Sequence, residues 1–132
     1  ASSLAENQMD EKRKQLQSQT IYYPVPEKVD LSGFSEDIES IDLSLSRVKN
    51  LEDFSRFTNL KSLCFRSNLL KTLISEFFTA DKGLSKITEL DFYDNQIEKI
   101  EGLNQFVTLE ILDLSFNRFK KIENIEQLIN LR

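Results

Sequence analysis

Asp42, Asp91 and Asp113 each stand between two large apolar residues, in Ile41-Asp42-Leu43, Leu90-Asp91-Phe92 and Leu112-Asp113-Leu114, and Cys64 holds the same place in Leu63-Cys64-Phe65. In an extended strand that alternation turns the apolar pair to one side and the middle residue to the other. Three chemistries are open to a row of carboxylates. A glycosidase-like acid-base pair needs carboxyls about 5 to 9 Å apart across a cleft, one of them with a raised pKa, and an open sheet offers neither cleft nor burial. Calcium needs about six to eight oxygens from a wrapping loop, and no EF-hand-like spacing occurs. The third is recognition of a cationic protein surface. Composition narrows the choice in the same direction. There is no histidine, which removes His-based acid-base work, His metal sites and Ser-His or Cys-His nucleophile pairs. The glycines, at 33, 83 and 102, are too far apart to build a phosphate cradle. Cys64 is the lone cysteine and has only Arg66 as a basic neighbour in sequence, which suits an inert thiol rather than a reactive one. No catalytic residue, metal or cofactor is therefore predicted.

The elements that position this row follow from a repeat. The chain has 132 residues, 39% hydrophobic and 30% charged, which fits one soluble domain. Within it apolar residues recur with a period of 22. Residues 87–108 carry Ile87, Leu90, Phe92, Asn95, Ile97, Ile100, Leu103 and Phe106 at repeat positions 1, 4, 6, 9, 11, 14, 17 and 20. Residues 109–130 repeat the pattern with Leu109, Leu112, Leu114, Asn117, Phe119, Ile122, Ile125 and Leu128. Residues 38–59 follow the same grid, with Ser46 where asparagine is expected. Residues 60–86 keep it through Leu73 and regain it at Leu84 after five extra residues, so an insertion lies within 74–83. This is the leucine-rich repeat pattern LxxLxLxxN. It predicts an α/β solenoid of the 22-residue type, with short parallel strands on the concave side and 3-10, helical or irregular segments on the convex side. Positions 4 and 6 point into a core shared between coils, since one repeat cannot bury its apolar face alone. Asn68, Asn95 and Asn117 fall where the chain leaves the strand, where an amide can bond orphaned backbone groups. They are expected to form a buried structural ladder.

Outside the repeats, residues 1–20 are rich in Gln, Glu, Lys and Ser and predict a flexible arm, with a helix between Leu4 and Leu16 as the alternative. Residues 21–37 bring Ile21, Tyr22, Tyr23, Val29, Leu31 and Phe34, suited to capping the first coil; repeats then fill 38–132. Leu131 and Arg132 begin a fifth repeat with no polar cap behind them, which predicts a fragment, monomeric but able to associate end to end through its open apolar face. No apolar run exceeds three residues, so neither a signal peptide nor a membrane span is predicted. Seventeen Lys and Arg against twenty-two Asp and Glu give a charge of -5, so the basic footprint of a nucleic-acid binder is absent.

With the repeats in register, the segments Leu63-Cys64-Phe65-Arg66-Ser67-Asn68, Glu89-Leu90-Asp91-Phe92-Tyr93-Asp94-Asn95, Leu109-Glu110-Ile111-Leu112-Asp113-Leu114-Ser115-Phe116-Asn117 and Lys121-Ile122-Glu123-Asn124-Ile125 resemble the leucine-rich-repeat regulatory subunits of type-1 protein phosphatase. The resemblance covers residues 38–132. It implies a non-catalytic protein of the nucleus and cytoplasm whose concave face holds the phosphatase catalytic subunit, with another inhibitory subunit as third partner. In that family the contacts come largely from repeat position 5, matched here by Asp42, Cys64, Asp91 and Asp113. The insertion departs from the family pattern, as does the small number of repeats, so weak binding is expected. The alternative is an interaction module of a spliceosomal or axonemal complex, whose proteins share the grid.

The concave row read from the residues adds Arg66, Glu89, Tyr93 and Phe116 to these four candidates. Asp91 and Asp113, on adjacent strands about 4.8 Å apart, are expected to repel until a partner cation arrives. For Phe116 the competing reading is packing against the next coil. Arg66 is expected to pair with Asp91 or Asp42. Lys71, Lys99, Lys120 and Lys121 at positions 12 and 13, with Glu52, Glu101 and Glu123 at position 15, predict a charge-balanced edge. Arg47-Val48-Lys49-Asn50 begins like a phosphatase-docking motif but lacks its aromatic residue. Phe77 and Phe78 in the insertion are expected to be buried.

Overall fold

The computed structural model describes residues 29–80 and 84–131. Four three-residue strands, β1 (Ser40–Asp42), β2 (Ser62–Cys64), β3 (Glu89–Asp91) and β4 (Ile111–Asp113), form one parallel sheet in the order β1-β2-β3-β4. Each strand holds repeat positions 3 to 5. The register aligns Ile41, Leu63, Leu90 and Leu112 in one row and Asp42, Cys64, Asp91 and Asp113 in the next. The five-residue insertion therefore leaves the sheet untouched and is absorbed elsewhere in the second coil.

Hydrogen bonds between coils run on past the strands. Position 8 of each coil donates its N–H to the position 7 carbonyl of the next, from Leu45 to Arg66 at 3.0 Å, Ser67 to Tyr93 at 2.8 Å and Asp94 to Ser115 at 2.9 Å. The chain then turns sharply. Leu45, Ser67, Asp94 and Phe116, all at position 8, have φ between 56° and 59°. That left-handed conformation swings the following residues out of the sheet, and for a side chain with a Cβ it carries a strain of about 1 to 2 kcal/mol. A second ladder begins beyond the turn, where the N–H of Leu69, Gln96 and Arg118 reaches the carbonyl of Val48, Leu70 and Ile97 in the preceding coil.

Between the two ladders sits asparagine. Asn68 Oδ1 accepts from the N–H of Ser46 and of Val48, at 3.1 and 2.9 Å, and its Nδ2 donates to the carbonyl of Leu43 at 2.9 Å. Asn95 accepts from the N–H of Leu70 and donates to the carbonyls of Phe65 and Phe92. Asn117 accepts from the N–H of Ile97 and donates to the carbonyls of Phe92 and Leu114. Each amide thus ties its own coil to the one before it. Asn68 and Asn95 are buried; Asn117 is half-buried. The hydroxyl of Ser46, standing where the others have an amide, donates to the carbonyl of Ser44 at 3.2 Å, within its own coil.

The convex side is made of successive turns, and no helix is formed among the described residues. In three coils the N–H of position 20 bonds the carbonyl of position 17 and the next coil's first residue bonds position 20, as in Phe57 to Phe54 and Leu60 to Phe57. The second coil, with its insertion, differs. Phe78 turns inward and is fully buried, edge-on to Phe54, Phe65 and Phe92 at centroid distances of 6.2 to 6.4 Å and 5.3 Å from Phe106. Phe65 and Phe92 stack beneath it at 5.5 Å. The insertion is fastened from the third coil by Gln105, which accepts from the N–H of Ala80 and donates to the carbonyl of Gly102. Of the expected pair, Phe78 is buried and Phe77 is exposed, because one ring fills the gap and its neighbour must point the other way.

At the first coil Val29, Leu31 and Phe34 pack partly buried on the core, Phe34 edge-on to Phe57 at 6.4 Å. The readings made for residues 1–20 and for 21–28 lie outside the described residues. At the fourth coil Ile122 is 80% exposed, whereas Ile100, at the same repeat position one coil earlier, is 1% exposed. The core, then, is built coil on coil, and a residue is buried only where two coils face each other.

Candidate functional site

The sheet register sets the middle row of the concave face, and each member is held differently. Asp42 Oδ1 accepts from the N–H of Ser44 at 2.9 Å and from its hydroxyl at 2.5 Å. Asp91 Oδ1 accepts from the N–H of Tyr93, and Asp113 Oδ1 from that of Ser115, both at 2.9 Å. These are Asx turns, in which a carboxylate replaces the strand partner that the departing chain has lost. One oxygen of each Asp is thus spent on folding. Two of the three have serine two residues on, in Asp42-Leu43-Ser44 and Asp113-Leu114-Ser115, and the third has Tyr93, since the bond needs only a backbone N–H. The hydroxyl and N–H of Ser44 hold Asp42 below the ordinary carboxylate range. Cys64 cannot make such a turn; its Sγ lies 3.3 Å from Ser44 Oγ, and burial pushes the thiol up from its usual value.

The second oxygens of Asp91 and Asp113 meet Arg66. Its Nε and Nη2 both lie 3.1 Å from Asp91 Oδ2, and Nη2 lies 3.5 Å from Asp113 Oδ2. The expected repulsion between the two carboxylates is therefore relieved within the chain, and not by a partner. Arg66 pairs with Asp91 and Asp113; no ion pair to Asp42 forms. Its guanidinium also covers the Tyr93 ring at 4.3 Å, and Tyr93 meets Phe116 edge-on at 5.1 Å. Arg66, Tyr93 and Phe116 thus form a continuous flat ridge from the second coil to the fourth, footed on two carboxylates. Glu89 stands exposed at the row above, 3.5 Å from Ser62 Oγ.

Phe116 touches the third coil through the edge of Tyr93 and is otherwise turned outward. It is 72% exposed because its left-handed backbone turns the ring away from the core, and Leu45 at the same position of the first coil is 80% exposed for the same reason. Between them Ser67 Oγ donates to Asp94 Oδ2 at 2.9 Å. Leu45 was not singled out in the sequence, since its exposure depends on φ and not on residue type. The row forms an open hollow of about 280 Å³ lined by Cys64, Arg66, Glu89, Asp91 and Asp113, a shape that can receive a protruding group of a partner surface.

Residues 85–130 match the family model of the leucine rich repeats, in two copies. Together with the one-strand-per-coil parallel sheet, this shows a leucine-rich-repeat solenoid fold. Among solved structures this repeat protein is similar to an internalin of Listeria monocytogenes, with a TM-score of 0.59 and 21% identity over 73% of this chain and 27% of that one, a likeness of fold alone. In sequence it is similar to the protein phosphatase 1 regulatory subunit SDS22 of Saccharomyces cerevisiae, 47% identical over 96 residues, 70% of this chain. It is also 40% identical over 81 residues to the subunit of that name from Schizosaccharomyces pombe, covering 60% of this chain. The Arabidopsis thaliana homologue of the protein phosphatase 1 regulatory inhibitor subunit PPP1R7 is 30% identical over 88 residues, 66% of this chain. The chain spans 28%, 22% and 27% of the lengths of these three relatives. The resemblance read from the segments around Asp91 and Asp113 is thus matched by relatives from two yeasts and a plant, all named as regulatory subunits.

Proposed function

We propose that this repeat array is a non-catalytic regulator that binds the catalytic subunit of a type-1 serine/threonine phosphatase through its concave face, in the nucleus and cytoplasm. The observation that carries this is the ridge of Arg66, Tyr93 and Phe116 seated on Asp91 and Asp113. An exposed aromatic pair held in one arrangement by a cation and two carboxylates loses little freedom on binding, and such preorganised Tyr and Arg side chains are the usual anchors of protein interfaces. Phe116 contributes little to its own fold, being exposed on a strained backbone, and a partner surface gives that strain a return. The names of the relatives supply the partner; a third, inhibitory subunit belongs to the same proposal.

The test is a surface-immobilised phosphatase catalytic subunit probed with the wild-type chain and with a Tyr93→Ala/Phe116→Ala variant. Loss of two anchors should weaken binding by about 2 kcal/mol or more, some thirtyfold. Equal affinity of the two proteins would remove the concave ridge from the interface.

A further inference from the structure

We infer a second binding surface on the flank of the solenoid, beyond the left-handed turn, that takes a short, extended, acidic segment of another protein. Repeat positions 10 to 13 lie along this flank in every coil. They hold Arg47 and Lys49 in the first coil, Lys71 in the second, Lys99 in the third and Arg118, Lys120 and Lys121 in the fourth, against one acid, Glu98. In a chain of net charge -5 that is a local excess of cations, bordered at position 15 by Glu52, Glu101 and Glu123.

The edge is only partly charge-balanced. Lys99 pairs with Glu101 at 3.9 Å and Lys121 with Glu123 at 3.2 Å. Arg47, Lys49, Lys71, Arg118 and Lys120 are exposed and make no ion pair among the described residues. In the second coil Ile74 stands where the others carry glutamate and Thr72 stands at position 13, so the pair made by Lys99 with Glu101 and by Lys121 with Glu123 has no counterpart beside Lys71. The row is not floppy backbone. The ladder from Leu69 to Val48, Gln96 to Leu70 and Arg118 to Ile97 fixes one coil edge against the next. Two open grooves run between these edges. One, of about 440 Å³, is lined by Lys49, Asn50, Leu69, Lys71, Thr72 and Gln96. The other, of about 720 Å³, is lined by Glu98, Lys99, Arg118, Lys120, Lys121 and Glu123.

Four coils at about 4.8 Å set a row of at least about 14 Å, the reach of four to five extended residues. A short carboxylate-rich peptide meets that length and the row's charge. A nucleic acid fits less well, since a long polyanion would also meet Asp42, Glu89 and the acidic excess of the whole chain, and long-range repulsion opposes it. This surface is independent of the concave face and of the phosphatase reading.

The probe is a soluble oligoglutamate peptide titrated by fluorescence anisotropy at low salt, against the wild-type chain, a Lys71→Glu/Lys120→Glu variant and the concave Tyr93→Ala/Phe116→Ala variant. All three are checked by circular dichroism; the flank lysines are exposed, so their reversal should leave the fold intact. Saturable, salt-sensitive binding is expected for the wild type and the concave variant, with a loss of about tenfold or more in the flank variant, as exposed charge pairs turn from attractive to repulsive. No binding by the wild type, or equal binding by the flank variant, would overturn the proposal. So would a single-stranded DNA oligomer of equal charge that binds as tightly as the peptide, since the row would then answer to any polyanion.

Discussion

Arg66 and Asp113 belong to coils two apart, yet the arginine's Nη2 reaches across β3 to lie 3.5 Å from the aspartate's Oδ2. A single cation thereby spans three strands and bridges a carboxylate pair that the repeat places side by side. Both partners are partly exposed, so the interaction is worth little to stability in water. Arg66→Gln is expected to change the free energy of unfolding in urea by less than about 1 kcal/mol, with the difference shrinking as salt is added. A loss of several kcal/mol would mean that the guanidinium holds the coils together instead of dressing their surface.

Asn95 makes bonds to two coils from a buried position. Asn95→Ala should leave the Leu70 N–H and the Phe65 carbonyl without their side-chain partners, while the Phe92 carbonyl keeps Asn117 Nδ2, at about 1 to 3 kcal/mol. Asn117→Ala, from a half-buried position that water reaches, should cost less. Chemical denaturation of the two variants checks the order, and equal costs would show that burial does not set the value of the amide.

Phe78 is the insertion's contribution to the core. Truncation to alanine empties a site ringed by Phe54, Phe65, Phe92 and Phe106 and should cost about 3 to 5 kcal/mol. A calorimetric melting curve that barely moves would mean that the insertion is not anchored by this ring.

Cys64 bears on the chain's pH response. Burial raises its pKa in the folded state, so the native protein keeps the thiol proton where the unfolded chain gives it up. The stabilisation is full below the unfolded thiol's pKa, about 8.5, and is lost as pH rises through the higher folded value. Alkylation by iodoacetamide at neutral pH should therefore be slower in the native protein than in the same chain in urea. Equal rates would contradict the burial.

The sheet register was legible because a 22-residue period leaves only one way to align Asp42, Cys64, Asp91 and Asp113. What escaped the sequence is conformational. Position 8 accepts Leu, Ser, Asp and Phe alike, so nothing in the residue types announced a left-handed turn that turns Phe116 outward. The bridge made by Arg66 spans residues 47 apart in sequence, and side-chain reach is decided by rotamers that no spacing rule contains. The Asx turns rest on a backbone N–H, supplied by Tyr93 as well as by Ser44 and Ser115, so residue type does not announce them. Asp113→Lys removes the acceptor of the Ser115 N–H as well as a surface charge, so it lowers stability in addition to any effect on a partner.

The central claim is that the concave ridge binds phosphatase, and a calorimetric titration of the chain with purified type-1 phosphatase catalytic subunit tests it most directly. Saturable heat with one-to-one stoichiometry, weakened by about thirtyfold or more in the Tyr93→Ala/Phe116→Ala variant and unchanged in Lys71→Glu/Lys120→Glu, is the expected result. Equal affinity after loss of Tyr93 and Phe116, or no binding by the wild-type chain, would contradict it.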